Sequence, residues 1–410
     1  MDKNKIIFYN KNFSILWFGQ LFSTVGNWVY SMFILIYVAT LTDKAIVIAG
    51  ILMTSMLPNI LFGPFIGNIV DKVNKKYMIV ISDFIRGILI LGLLPLMNVF
   101  ENQKVILLIC IFVTSIISNV VGCFFDPAIR SIIPRLTNVD IKKSNSYFAL
   151  IGSISLILGP AFGGTVVGIL GFRGVVIFNA CTFIVSAVSE MFLKYMEEKK
   201  QEKKQEKIKM LQKYKLGWSV LSQKADIKYY VIVAGIRSLV VGLINISFIF
   251  VANKIFIKGS VSVGYIYAAL GCGLILGSLV IAYWRYKIRD IKLYLIVILA
   301  NAIFSIIYIF TQSLVITLMA IFIVGISDGF QSVLLYSNIQ KQIESNDTAK
   351  VVACTNSIMM AFQLISMTVG GLLFDYFDST YVVIIVSIIV ITCTYISYAK
   401  LTKKQYEINN

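Results

Sequence analysis

The chain contains no histidine among its 410 residues. That absence removes imidazole general bases, Ser/His and Cys/His nucleophile pairs, and the commonest zinc ligand. Charge is also scarce: only 14% of residues are Asp, Glu, Lys or Arg, about half the share in a water-soluble domain. No GxxxxGK[ST] stretch occurs, so a phosphate-cradling loop and ATP as energy source are not indicated. The six cysteines, at 110, 123, 181, 272, 354 and 393, all fall inside apolar runs. None is paired with another in an exposed loop, so they read as free thiols and not as a disulfide framework.

What the chain has in abundance is apolar length. It is 58% hydrophobic with a mean hydropathy of +0.84, the composition of an integral membrane protein. Apolar stretches lie at roughly 14–41, 46–70, 77–98, 104–126, 144–170, 172–195, 227–252, 260–284, 291–311, 313–336, 352–374 and 379–399. Each is long enough to cross about 30 Å of hydrocarbon as an α-helix. The expectation is an all-α membrane protein of twelve transmembrane helices. No small-residue cleavage site follows the first stretch, so the N-terminus reads as an uncleaved start.

Loop charge gives the orientation. With the N-terminus inside, the inner segments hold 30 Lys and Arg and the outer loops only five, Lys44, Lys104, Arg173, Lys254 and Lys258. This asymmetry places both termini in the cytosol and the protein in the cell membrane. The net charge of +17 is therefore a topology signal spread beside anionic lipid headgroups, and it does not call for nucleic acid. The run KYMEEKKQEKKQEKIKMLQKYK, 194 to 215, divides the chain into two sets of six stretches. Its expected form is an amphipathic segment along the inner leaflet. The domain expectation is an N-terminal half, 1–195, a cytosolic linker, 196–226, and a C-terminal half, 227–410. Faint echoes point to duplication: Gly163-Gly164 with Gly370-Gly371, and the spacing of Gly67 and Lys75 with that of Gly277 and Arg285. Ile281 stands where the first copy has Asp71. Parallel six-helix halves are an arrangement of transporters with a central site.

The stretch GNIVDKVNKKY, 67 to 77, sets a carboxylate, Asp71, at the C-terminal end of the second helix, where the helix dipole disfavours it. It needs a partner, and the opening turn of the eleventh helix, near Lys350, offers a positive N-terminus. Gly67-x-x-x-Asp71-Lys72-x-Asn74-Lys75-Lys76 resembles the loop 2/3 signature of the major facilitator superfamily, GxxxD(R/K)xGR(R/K). Asn74 replaces the usual glycine, and asparagine tolerates a left-handed backbone there. The resemblance implies a charge relay of Asp71 and Lys75 with Asp126 at the inner end of the fourth helix. Gly67, Lys72, Lys76 and Arg130 complete that gating set.

Gly152-x6-Gly159-Pro160-x2-Gly163-Gly164 combines small residues that permit close helix contact with a proline that bends the helix. It is similar to the helix 5 signature of drug/proton antiporters in the same superfamily. SDFIRG (82–87) and FFDPAIRSIIPRL (124–136) further resemble its macrolide-efflux and siderophore-exporter branch. The function implied is export of an amphipathic compound, a drug of macrolide type or another, in exchange for protons. Alternatives of other kinds are an exporter or flippase of a lipid or siderophore-like metabolite, and a non-transporting sensor or assembly factor on the same fold. The expected partners are a small amphipathic substrate, protons and membrane lipid; the chain is read as a monomer without cofactor, not an enzyme.

Ionisable residues inside a membrane are costly and mark functional sites. Asp83 and Arg86, three apart on the third helix, can meet on one face and read as a structural pair. Glu190 lies one turn from the inner end of the sixth, within reach of water. Arg237 and Asp328 are deeper. Both sit about 12 to 14 Å from the inner boundary on the seventh and tenth helices, so their depths match. Asp328, Arg237 and Glu190 are the proton-coupling candidates. The resembled fold lines its cavity with helices 1, 4, 7 and 10. Gln20, Asn27, Trp28 and Tyr30 on the first are the substrate-cavity candidates.

Overall fold

A computed structural model describes residues 10–58, 60–62, 70, 73–136, 141–194, 218–223, 225–255, 259–283, 290–311, 313–343 and 345–409. The described residues form helices and no strand. In chain order these are α1 (Lys11–Leu41), α2 (Ala45–Thr54), α3 (Lys75–Leu91), α4 (Leu93–Val99), α5 (Lys104–Leu136) and α6 (Ile141–Met191). The second series comprises α7 (Ala225–Ile255), α8 (Gly259–Tyr283), α9 (Asp290–Phe310), α10 (Leu314–Gln342), α11 (Ser345–Tyr376) and α12 (Ser379–Asn409).

Nine helices among the described residues are long and apolar enough to cross a membrane. Three shorter apolar helices, Ala45–Thr54, Leu150–Gly159 and Ser379–Tyr395, fall at the other three expected stretches. Large apolar side chains stand on the outer faces: Ile169 is 77% exposed, Val105 70% and Met319 61%. A water-facing surface would not carry so many, whereas lipid accepts them. Inside the helices, hydroxyls are satisfied locally. Ser238, Ser278, Ser305, Thr355 and Thr394 each donate to the carbonyl four residues earlier, at 2.6 to 2.9 Å. Hydroxyls bonded this way add no unsatisfied donor to the apolar interior.

Local chemistry sets the helix ends. Asn10 caps α1, its Oδ1 accepting from Asn12 N at 3.1 Å and Phe13 N at 3.2 Å. Asn74 caps α3 in the same way, accepting from Lys76 N at 3.0 Å and Tyr77 N at 3.4 Å. Asn74 has φ −61 and ψ 117, so the expected left-handed turn does not occur. Asparagine replaces glycine here as a helix cap, the role it fills best. The range of α6 holds two helices, the expected fifth and sixth stretches, that meet at a kink. Its one departure from helical backbone is Gly171, at φ 64, a conformation that costs glycine nothing. Pro160 lies within the helical run.

The chain divides into two compact units, one of Met1–Asp43 with Ile51–Gln205, the other of Lys44–Gly50 with Glu206–Asn410. In the first, α1 packs along α6, and α3 packs on α5 and α6. A Cβ on Gly159 would overlap Trp28, and one on Gly163 would meet Val29 and Met32 at 3.7 Å. Gly152 has nothing within 4 Å, so it is not a contact of the expected small-residue motif. In the second unit α8 packs on α10, α7 on α11, and α9 on α10 and α12. A Cβ on Gly370 of α11 would overlap Leu243 of α7. The glycines that echoed one another in the sequence thus do parallel jobs: α6 on α1, α11 on α7. Segment 44–50 is tied into the second unit by Asp375. Its Oδ1 accepts from Ala45 N at 2.5 Å and its Oδ2 from Ile46 N at 3.5 Å, capping α2 from the far end of α11.

Candidate functional site

Among the described residues two buried clusters of ionisable side chains are built, one within each unit. In the second unit, Arg237 of α7 donates through Nη2 to Asp328 Oδ1 on α10. Asn301 of α9 donates from Nδ2 to the same oxygen at 2.7 Å and reaches the Val324 carbonyl at 3.4 Å. Three helices therefore meet at one carboxylate oxygen. The Arg237 side chain is 7% exposed and that of Asp328 18%, so the cation is sequestered while the acid keeps a face open. Close by, Gln331 Nε2 donates to the Tyr294 hydroxyl at 3.3 Å, and that hydroxyl donates to the Tyr230 carbonyl at 3.1 Å.

The first unit holds the other cluster. Glu190 of α6 is fully buried, so the expectation that it reaches water from the end of its helix is overturned. The rotation of α6 turns it toward α1 and α3. Gln20 of α1 donates from Nε2 to Glu190 Oε1 at 2.7 Å and lies 3.3 Å from Ser186 Oγ. Ser186 Oγ lies 3.4 Å from the same Glu190 oxygen. Asp83 of α3 is also fully buried, 3.8 Å from Arg86 Nη1. The Arg86 guanidinium lies 4.1 Å from the centre of the Phe183 ring, a cation–π contact. Of the substrate candidates on α1, Gln20 is thus committed inside the unit. Asn27 and Trp28 are half-buried, and Tyr30 is buried with its hydroxyl lacking a hydrogen-bond partner.

Of the gating set, Gly67, Asp71 and Lys72 lie outside the described residues, as does the linker run beyond Lys194. Lys75 is buried at the start of α3, followed by Lys76. Asp126 and Arg130 lie on α5, and Pro160 and Gly164 on α6, with their side chains outside the described residues. The sequence reading missed Asn301, Ser186 and the glycine seam between α8 and α10. An amide in the run LIVILANAIFSII and the four-residue spacings Gly273/Gly277 and Gly325/Gly329 were the available signals.

Comparison with known proteins agrees with this architecture. The putative bacilysin exporter BacE of Bacillus subtilis (strain 168) is 23% identical over 397 residues, 96% of this chain and 95% of that protein. Macrolide efflux protein A of Streptococcus pyogenes is 22% identical over 368 residues, 88% of this chain and 89% of that protein. The fold is that of the nucleoside transporter NupG, with a TM-score of 0.72 at 15% identity, covering 95% of this chain and 98% of that one. A bacterial homologue of the iron transporter ferroportin in an inward-facing state gives 0.71 at 14% identity, covering 94% and 98%. The family model of the Major Facilitator Superfamily matches residues 16–359. With its membrane-length apolar helices and buried charges on them, the chain belongs to the Major Facilitator Superfamily of membrane transporters.

Proposed function

We propose that the protein is a proton-coupled exporter of amphipathic small molecules, macrolide-type or other drugs, working by alternating access in the cell membrane. The observation that carries this reading is the carboxylate of Asp328. It is held by a guanidinium and an amide on two other helices yet remains 18% exposed on its side chain. A carboxylate in that position can exchange its arginine for a proton, and the released arginine then changes what the three helices hold together. The similarity to a macrolide efflux protein and a putative bacilysin exporter supports export over uptake. In this reading Asp71, Lys75 and Asp126, with Gly67, Lys72, Lys76 and Arg130, form the gating relay. Asn27, Trp28 and Tyr30 contribute to substrate contact. Gln20 does not, because its amide is engaged by Glu190.

Everted membrane vesicles carrying the protein test the reading. They should accumulate a macrolide when an inward-acid gradient is imposed and lose it when a protonophore collapses that gradient. Accumulation that is unaffected by the protonophore would exclude proton coupling, and no accumulation of any amphipathic drug tested would exclude the substrate class. Orientation has its own test. Single cysteines placed between 198 and 215 should react with an impermeant maleimide only after the cells are opened; labelling in intact cells would invert the topology.

A further inference from the structure

We propose that Asp83 and Glu190 form a proton-binding site within the first unit, holding one proton between them, separate from Asp328. Two carboxyls lie fully buried on α3 and α6, and Gln20 and Ser186, which bond Glu190, also lie beside Asp83. Among the described residues one cation, Arg86, faces them, at 3.8 Å from Asp83, beyond hydrogen-bond length. It also stacks over Phe183 and passes Gly122 of α5, whose added Cβ would lie 3.7 Å from the guanidinium carbon. One guanidinium balances one carboxylate. Two carboxylates buried beside the same amide and hydroxyl repel one another, and the cheapest relief is a single proton shared by the pair.

The hydrogen bonds say where that proton sits. Glu190 Oε1 accepts from Gln20 Nε2 and behaves as the acceptor oxygen. Glu190 Oε2 is buried without a hydrogen-bond partner, an arrangement proteins avoid unless something fills it, and the two Asp83 oxygens are buried with only the Gln20 amide and the Ser186 hydroxyl beside them. A proton on one of these three oxygens turns an acceptor into a donor, which a carboxylate beside it can accept. The remaining titratable groups on the packed faces are Lys75, two turns along α3 from Asp83, and the Cys123 thiol of α5, packed with Ile79 and Leu193. Asp126 and Arg130 of α5 lie outside the described side chains. Any part this proton has in transport rests on the coupled-exporter reading; the site itself does not.

The test is infrared spectroscopy of the full-length protein in lipid at neutral pH. Wild type should show a protonated-carboxyl C=O stretch that moves down in D2O. Glu190→Gln and Asp83→Asn should each abolish it, since each leaves one carboxylate opposite Arg86, whereas Asp328→Asn should leave it in place. A band that survives both substitutions, or that wild type lacks, overturns the site. Should neither variant fold, wild-type protein treated with dicyclohexylcarbodiimide, which attacks protonated carboxyls in apolar surroundings, is mapped by mass spectrometry. Modification of Asp83 or Glu190 is expected, and modification of neither overturns the proposal. The vesicle assay stands apart: wild-type protein that lacks the infrared band yet exports on a gradient removes this site alone, whereas a band in wild type without gradient-driven export removes the exporter reading alone.

Discussion

Asp328→Asn should abolish gradient-driven export while leaving the protein folded, and Arg237→Ala should lower the melting temperature in detergent markedly. The two substitutions differ because of what each leaves behind. Asparagine at 328 still presents an oxygen to Arg237 and to the Asn301 amide, both of which converge on Oδ1 in the native cluster. What it cannot do is exchange charge for a proton or balance the Arg237 charge, so some stability is lost here too. Alanine at 237 instead removes the countercharge of an acid whose side chain is only 18% exposed. Breaking a buried pair from one side costs about 3 to 5 kcal/mol, because an uncompensated charge remains. The double variant, Asp328→Asn with Arg237→Ala, carries no charge at the site. It should recover most of the stability lost by Arg237→Ala and none of the transport. A coupling of this kind is measured by a double-mutant cycle on melting in detergent. Additive losses would show that the two residues stabilise the fold independently, and export retained by Asp328→Asn would remove the carboxylate from the coupling step.

That pair was legible in the sequence because depth along a helix is nearly a linear function of residue number. Two charges at matching depth in apolar runs need each other in hydrocarbon. Rotation about the helix axis is less legible. Glu190 lies one turn from the end of an apolar stretch, which allows it to snorkel to water or to turn inward, and only packing decides. Here Gly19 and Gly26 let α1 approach α6, an added Cβ on Gly19 lying 2.6 Å from Ser189 and one on Gly26 3.1 Å from Asn179. That close approach brings Gln20 within 2.7 Å of the Glu190 carboxyl. The cap that Asp375 places on α2 joins residues 330 positions apart, and no local pattern announces it. Asn74 misled in the opposite direction. A family pattern with glycine at that place suggested a left-handed turn, whereas the residue itself is a strong N-cap and behaves as one.

The glycine seam of the second unit yields the other large effect. Gly273 and Gly277 on α8 face Gly325 and Gly329 on α10. A Cβ on any of the four would overlap a main-chain carbonyl oxygen of the opposite helix: Phe322, Ile326, Leu270 or Leu274. An added Cβ on Gly273 would also lie 3.1 Å from the Gly325 Cα. The obstacle is backbone, which cannot rotate out of the way as a side-chain tip can. Small residues spaced by four let two membrane helices make this close approach, and dispersion contacts along it replace the hydrophobic drive that lipid does not supply. The seam also fixes the register of α10, and with it the position of Asp328, whose neighbour is Gly329. Gly277→Val or Gly325→Val should therefore force the helices apart, at a cost above the usual overpacking range of about 1 to 3 kcal/mol. The expected results are a large fall in detergent melting temperature and loss of export in whatever protein still inserts. Gly152→Ala is the matched control, because its new Cβ meets nothing within 4 Å. Its stability should stay within about 0.5 kcal/mol of wild type. Equal melting temperatures for Gly325→Val and Gly152→Ala would mean that α8 and α10 do not meet along these glycines, and the placement of Asp328 by that seam would fall with it.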